Sequence, residues 1–370
     1  MSRHPRLFTP IDLGGITLPN RVVVAPMCQY SAQDGRMTDW HLMHLGTFAC
    51  SGAGLFVVEA TGVTPEGRIT PRCTGLYDDA TEAAMARALA LYRSITKHPI
   101  GIQLAHAGRK ASTHPPFLGG KPLGASDGAW ETVAPSAIPF GDGWHVPREL
   151  SASDLLALKD AFVRAAERSK RLGFDAVELH AAHGYLLHQF VSPLANQRQD
   201  AYGKERMKFP LEVAAAVREA WPKDRCLGAR ISASDWVDGG AGPADAVAFA
   251  RELKRVGFDY VCVSSGAMVP HARIPVAPGY QVGFAHQVKQ SSGIAVRAVG
   301  MIVDPDQAEA ILAAGEADMV AMARAFLDDP RWVWHAAERF GVKLDYPPQY
   351  ARSRGDVWPG AQIARPKEAA

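Results

Sequence analysis

Eight short apolar runs recur along the chain, at residues 22–25, 55–60, 100–104, 176–180, 227–231, 260–263, 295–299 and 319–323. They are continuous rather than alternating, which suits strands covered on both faces. Helix-period stretches lie between or after them, at 40–51, 81–97, 153–172, 211–221, 243–256, 283–290, 305–314 and 332–340. Some open on capping signals, such as Ser151-Ala-Ser-Asp154 and Asp304-Pro305. Arg171-Leu-Gly-Phe-Asp175-Ala-Val177 is repeated almost position for position by Arg255-Val-Gly-Phe-Asp259-Tyr-Val261. Ala314-Gly315-Glu-Ala-Asp318-Met-Val320 is a looser third copy. Each places Gly at a helix end, then Asp, then a buried strand. Eight such units predict a closed (β/α)8 TIM barrel. A doubly wound open sheet is the competing architecture, but no Gly-x-Gly-x-x-Gly opens a helix after the first strand.

Two segments exceed a bare barrel. Residues 7–20 carry apolar triplets around Gly14-Gly15, a hairpin signal that predicts a cap on the barrel floor. Residues 108–150 are rich in Gly, Pro and Ser and follow the third run, where an excursion reads as a lid or binding loop.

Barrel chemistry sits at the C-terminal ends of the strands. His180-Ala-Ala-His183-Gly-Tyr185 follows the fourth run. Three readings stay open there: structural histidines, a metal site, and two N–H donors converging on one oxygen with Tyr185 as proton source. No third ligand stands at zinc spacing. Cys28 reads as a buried thiol, as a nucleophile without a local base, or as a group touching a redox ring. Gly300 allows close backbone approach after the seventh run, and Arg324 after the eighth offers a fixed charge for phosphate or a structural salt bridge. Arg230 ends the fifth run, and Gln103 on the third presents both a donor and an acceptor to a heterocycle edge. These parts suit a phosphorylated flat cofactor such as FMN. A Schiff-base enzyme would have only Lys110 near a strand end.

Composition narrows the partners. The 370 residues carry 40 Lys+Arg against 38 Asp+Glu, a formal charge of +2, which makes no electrostatic case for nucleic acid or an anionic membrane. The five cysteines form no Cys-x-x-Cys and favour a reducing cytoplasm. Residues 1–10 lead into no apolar core, so no signal peptide is expected.

Taken in order, several motifs resemble the old yellow enzymes: Asn20-Arg21, Ala25-Pro-Met-Cys-Gln-Tyr30, Glu59-Ala60-Thr61, Gln103-Leu-Ala-His-Ala-Gly-Arg-Lys110, Ala134-Pro-Ser136, Glu178-Leu-His-Ala-Ala-His-Gly-Tyr185, Asn196 to Gly203, Pro278-Gly279-Tyr280-Gln281, Ala298-Val-Gly300 and Arg324. Cys28 with Tyr30 points to the thermophilic-like branch that includes xenobiotic reductases. The resemblance runs from about Leu7 to Arg352. It implies an FMN-containing barrel, residues 1–345, that takes reducing equivalents from NAD(P)H and reduces the C=C bond of α,β-unsaturated carbonyls and related electron-poor alkenes. It implies FMN contacts at Ala25, Pro26, Met27, Cys28, Ala60, Gln103, Arg230, Val299, Gly300, Ala323 and Arg324. Substrate contacts fall to Tyr30, His180, His183 and Tyr185, with Tyr185 as proton donor. It further implies a homodimer or homotetramer in which Arg352, in a tail at 346–370, reaches a neighbour's site. The sequence departs from the family after Gly203, where about three residues are missing, and at Val299, where some xenobiotic reductases carry tryptophan. Other readings are a hydroxy-acid oxidase, a flavin-storage protein and a sugar-phosphate aldolase.

Overall fold

Eight parallel strands close on themselves in the computed structural model, which describes residues 5–365. Strands follow the chain as β1 (Ile11–Leu13), β2 (Ile16–Leu18), β3 (Val22–Val24), β4 (Leu55–Gly62), β5 (Ile100–Ala105), β6 (Val133–Ala134), β7 (Arg148–Glu149), β8 (Ala176–Ala181), β9 (Cys226–Ser232), β10 (Tyr260–Ser264), β11 (Ala295–Ala298) and β12 (Met319–Met322). The barrel order is β3-β4-β5-β8-β9-β10-β11-β12, with β12 pairing back onto β3. All eight runs read from the sequence are barrel strands. The helices are α1 (Asp39–Ala49), α2 (Asp79–Ile95), α3 (Ala152–Leu172), α4 (Leu186–Val191), α5 (Ala201–Lys204), α6 (Lys208–Ala220), α7 (Pro243–Val256), α8 (Val282–Ser292), α9 (Pro305–Ala313), α10 (Arg324–Asp328), α11 (Trp332–Phe340) and α12 (Ala361–Ala364). The short helices α4, α5, α10 and α12 are additions to the pattern, too brief for a helical period to show.

The repeated Gly-x-Asp has a structural job. Gly173, Gly257 and Gly315 all take positive φ where a helix unwinds. The Asp two residues on, or three on after Gly315, then accepts from an N–H at the start of the preceding barrel strand: Asp175 from Ile100 at 2.8 Å, Asp259 from Leu227 at 2.7 Å and Asp318 from Val296 at 2.9 Å. Each carboxylate thus ties two adjacent strands at the bottom of the barrel. At the start of α3, Ser151 and Asp154 bond reciprocally to each other's backbone N–H, the capping box expected there.

The β1–β2 hairpin pairs antiparallel about Gly14 and Gly15 and closes the floor, where Leu13 and Leu18 join Val23, Leu55, Ala176 and Tyr260 in one apolar cluster. Residues 108–150 form short 3-10 turns, with β6 pairing parallel to β7. The buried Arg109 guanidinium pins this excursion, donating to the carbonyls of Ile138, Pro139 and Met268.

The described part of the tail folds back on α11 of its own chain. Tyr346 stacks on Trp334 at 4.1 Å between centroids, and the Arg331 guanidinium lies over the rings of Trp334 and Tyr350. Tyr346 and Tyr350 of the tail therefore pack against their own chain. Residues 1–4 and 366–370, within the spans expected to be leaderless and to form the end of the tail, lie outside the described residues. No helix among the described residues is long and apolar enough to cross a membrane.

Candidate active site

The strand ends meet at one mouth. Ala25 and Met27 are buried just past β3, while Pro26, Cys28 and Tyr30 are half-buried beside them. Tyr30 takes φ of 49°, a turn that redirects the chain after the strand. Glu59 fixes that segment from β4: its Oε2 accepts from Gln29 N at 3.1 Å and its Oε1 lies 3.3 Å from His41 Nε2. The register of β4 on β5 shifts between Val58 and Ala60. Ala60 is buried at that irregularity, and Gln103 is buried opposite on β5. Arg230 on β9 pairs in register with His180 on β8. Val299 and Gly300 follow β11, and Ala323 and Arg324 follow the neighbouring β12.

His180, His183 and Tyr185 form one aromatic knot. The His180 ring centroid is 5.1 Å from that of His183 and 4.8 Å from that of Tyr185, both edge to face. Burial, then the Arg230 charge, holds both imidazoles well below the usual histidine range, so both rings are neutral. Ala182 N donates to His180 Nδ1 at 3.3 Å, which leaves the His180 proton on Nε2. His183, at φ of 58°, receives support from two serines: its N–H donates to Ser232 Oγ at 3.0 Å, and its Nε2 lies 2.7 Å from Ser264 Oγ. Burial and the neighbouring thiols push the Tyr185 phenol upward, so it keeps its proton. Tyr30 is raised for the same leading reason.

Lys110 is committed elsewhere than a Schiff base would require. Its Nζ donates to the carbonyls of His183 at 2.8 Å and Ala267 at 2.9 Å, two residues with positive φ. It also lies over the Tyr185 and Phe140 rings. Burial, then Arg109, lowers its pKa to about 7. The neighbouring Cys73 thiol, then burial, pushes the Cys28 thiol well above its usual value. A protonated thiol is a poor nucleophile, which counts against covalent chemistry there.

The residues fit a flavin mononucleotide. Arg230 Nε is buried without a hydrogen-bond partner among the described residues, a cation awaiting an electron-rich group at the mouth. Gly300 sits at φ of 111°, and a Cβ there would fall 2.6 Å from Gln281 Nε2, so glycine alone leaves the backbone open to close approach. Arg324, exposed on the adjoining strand end, is free to reach a phosphate. Gln103 Nε2 donates to Glu178 Oε1 at 2.7 Å, so its carbonyl faces elsewhere.

Arg352 is exposed in the 3-10 segment Pro348–Ser353, apart from the mouth in sequence and fixed through neighbours that dock on α11.

Sequence reasoning missed Arg297 and Tyr260 and gave Glu178 and the strand-end Ser264 no role of their own. Charged residues inside apolar runs were the available signal, since a buried Glu and a buried Arg must find each other.

Residues 6–341 match the NADH:flavin oxidoreductase / NADH oxidase family. The chain is 44% identical over 353 residues to an NADPH dehydrogenase of Geobacillus thermodenitrificans, covering 94% of this chain and 98% of that protein. Among solved structures it resembles morphinone reductase in complex with tetrahydroNAD, at 30% identity and a TM-score of 0.75, covering 93% of each chain. It also resembles the old yellow enzyme homologue from Zymomonas mobilis, at 25% identity and a TM-score of 0.75, covering 92% of this chain and 94% of that one.

Proposed function

Because the chain belongs to the NADH:flavin oxidoreductase / NADH oxidase family and is an FMN-dependent NAD(P)H oxidoreductase of the old yellow enzyme type, we propose that it is an ene-reductase acting on α,β-unsaturated carbonyl compounds. Bound FMN would supply the redox chemistry, relaying hydride between NAD(P)H and an activated alkene. The single observation that carries the reading is the neutral His180–His183 pair standing against a protonated Tyr185.

His180 offers Nε2–H, since its Nδ1 accepts from the backbone. With the Ser264 hydroxyl donating to His183 Nε2, that ring carries its proton on Nδ1 and becomes a second donor. The two donors hold the carbonyl oxygen and stabilise the negative charge that grows on it as hydride arrives. Tyr185 then delivers its proton to the α-carbon. Tyr30 lines the substrate side. Ala25, Pro26, Met27, Cys28 and Ala60 would pack on the ring, with Cys28 tuning its potential. Val299, Gly300, Ala323 and Arg324 would hold the ribityl phosphate end, and Arg230 would stabilise the reduced ring.

Assembly belongs to the same reading: a homodimer or homotetramer in which Arg352 of one chain lines the mouth of another, in the cytoplasm. The tail's docking on α11 supports it by fixing Arg352 on the surface rather than leaving it on a loose end.

The test is the visible spectrum of the yellow protein titrated with a para-substituted phenol. A phenolate held by the two histidines over the flavin gives a long-wavelength charge-transfer band, whereas an unchanged spectrum at saturating phenol refutes the oxygen-binding role. Turnover with lactate or glycolate instead of 2-cyclohexenone would favour a hydroxy-acid oxidase.

A further inference from the structure

Inside the barrel, beneath the mouth, four polar side chains from four strands converge. Gln103 on β5 and Glu178 on β8 are partners in register. Glu178 Oε1 accepts from Gln103 Nε2 at 2.7 Å, and Glu178 Oε2 accepts from the Tyr260 hydroxyl at 2.9 Å and from Arg297 Nη2. All four are essentially removed from solvent. The fold makes room for this: a Cβ at Gly228, between Glu178 and Tyr260 in the sheet, would lie 2.2 Å from the Tyr260 ring, so glycine there lets the ring cross to the carboxylate.

We propose that Glu178, held by Arg297 and Tyr260, is a positioning residue that sets which end of the Gln103 amide faces the flavin. The two ends of a glutamine amide are nearly the same size, and only their hydrogen bonds decide the orientation. A carboxylate only accepts, so it draws Nε2 and leaves the Gln103 carbonyl facing away. The pyrimidine edge of a flavin presents an N–H flanked by carbonyls. A glutamine carbonyl accepts from that N–H, and the amide's second N–H is left for a neighbouring carbonyl. Glu178 alone would also place a bare negative charge two bonds from a ring that becomes electron-rich on reduction. Arg297 cancels it, so the pair orients Gln103 without opposing reduction. The inference rests on flavin binding and is independent of the substrate reduced.

Two double variants of the holoprotein separate orientation from scaffolding. Glu178→Gln with Arg297→Met removes both charges but keeps a carbonyl to receive Gln103 Nε2. Glu178→Leu with Arg297→Met removes that acceptor as well. The first is expected to bind FMN near wild-type affinity. The second is expected to lose roughly tenfold in FMN affinity, the scale of one hydrogen bond to a charged group. The 15N resonance of 15N3-labelled FMN is expected to move toward that of free flavin in the second variant only. Equal FMN affinity and equal 15N3 shifts in both variants, whatever their melting temperatures, would overturn the proposal. Should the leucine variant fail to fold, the wild-type protein still decides: one side-chain amide proton of Gln103, assigned through Gln103→Leu, is expected to exchange slowly with solvent even after FMN is stripped. Fast exchange of both would overturn it.

Discussion

His183 Nε2 stands 2.7 Å from Ser264 Oγ, across the strand that separates β8 from β10. Ser264 is buried, and its hydroxyl has a second acceptor, Gln281 Oε1, at 3.3 Å. That carbonyl oxygen also receives the Ser265 hydroxyl at 2.6 Å, and the proposed tautomer turns the Ser264 proton from it to the shorter contact with His183. One serine thereby sets the tautomer of a ring half-exposed at the mouth. Ser264→Ala is expected to weaken phenol binding about two- to tenfold, the range of one hydrogen bond, while FMN content stays at wild type. Unchanged phenol affinity by spectral titration would show that Ser264 does not govern the tautomer.

Replacing His180 and His183 together with Ala is expected to abolish the phenol band and to slow enone reduction by about 10²-fold or more, since a single oxyanion donor commonly contributes that much. FMN-to-protein ratios should hold. Wild-type turnover of 2-cyclohexenone by this variant would remove the pair from the mechanism.

Tyr185→Phe distinguishes the two halves of the cycle. Reduction by NADPH requires no proton at carbon and should proceed normally, whereas reoxidation by enone should slow. Stopped-flow traces in which both halves slow equally would mean that Tyr185 orients ligands rather than delivering a proton.

The buried histidines also make stability depend on pH. His180 is neutral in the folded state because burial and Arg230 hold its pKa well below 6.5. In the unfolded chain it protonates near 6.5. The unfolded state therefore binds more protons as pH falls below that value, and stability falls with it, by up to about 1.4 kcal/mol per pH unit for this one group. His44 and His106, each lowered to about 4 chiefly by burial, act in the same direction. The urea midpoint should drop between pH 7 and pH 5, and His180→Asn should flatten that slope. A midpoint that rises or stays level over the interval contradicts the assignment of neutral buried rings.

Much of the barrel was legible because both of its signals are local. Unbroken apolar runs mark strands covered on two faces, and the repeated Gly-then-Asp signal marks three helix-to-strand turns by a bond that recurs at Asp175, Asp259 and Asp318. The mouth residues were legible as polar residues at strand ends. What sequence spacing could not give is pairing across the barrel. Ser264 looked like an ordinary strand-end serine until His183 was placed beside it. Arg297 lay inside a run counted as apolar, and its partner Glu178 is 119 residues away. Likewise, nothing in the spacing of Tyr346 and Tyr350 names Trp334 as the residue they pack on.

In the proposed reaction, electrons taken from NAD(P)H leave this protein on an activated alkene. Under strict anaerobiosis, one equivalent of NADPH should bleach the yellow protein, and one equivalent of 2-cyclohexenone should then restore the colour with formation of one equivalent of cyclohexanone. A protein that bleaches and recovers its colour with oxygen but stays bleached in excess enone would contradict the account.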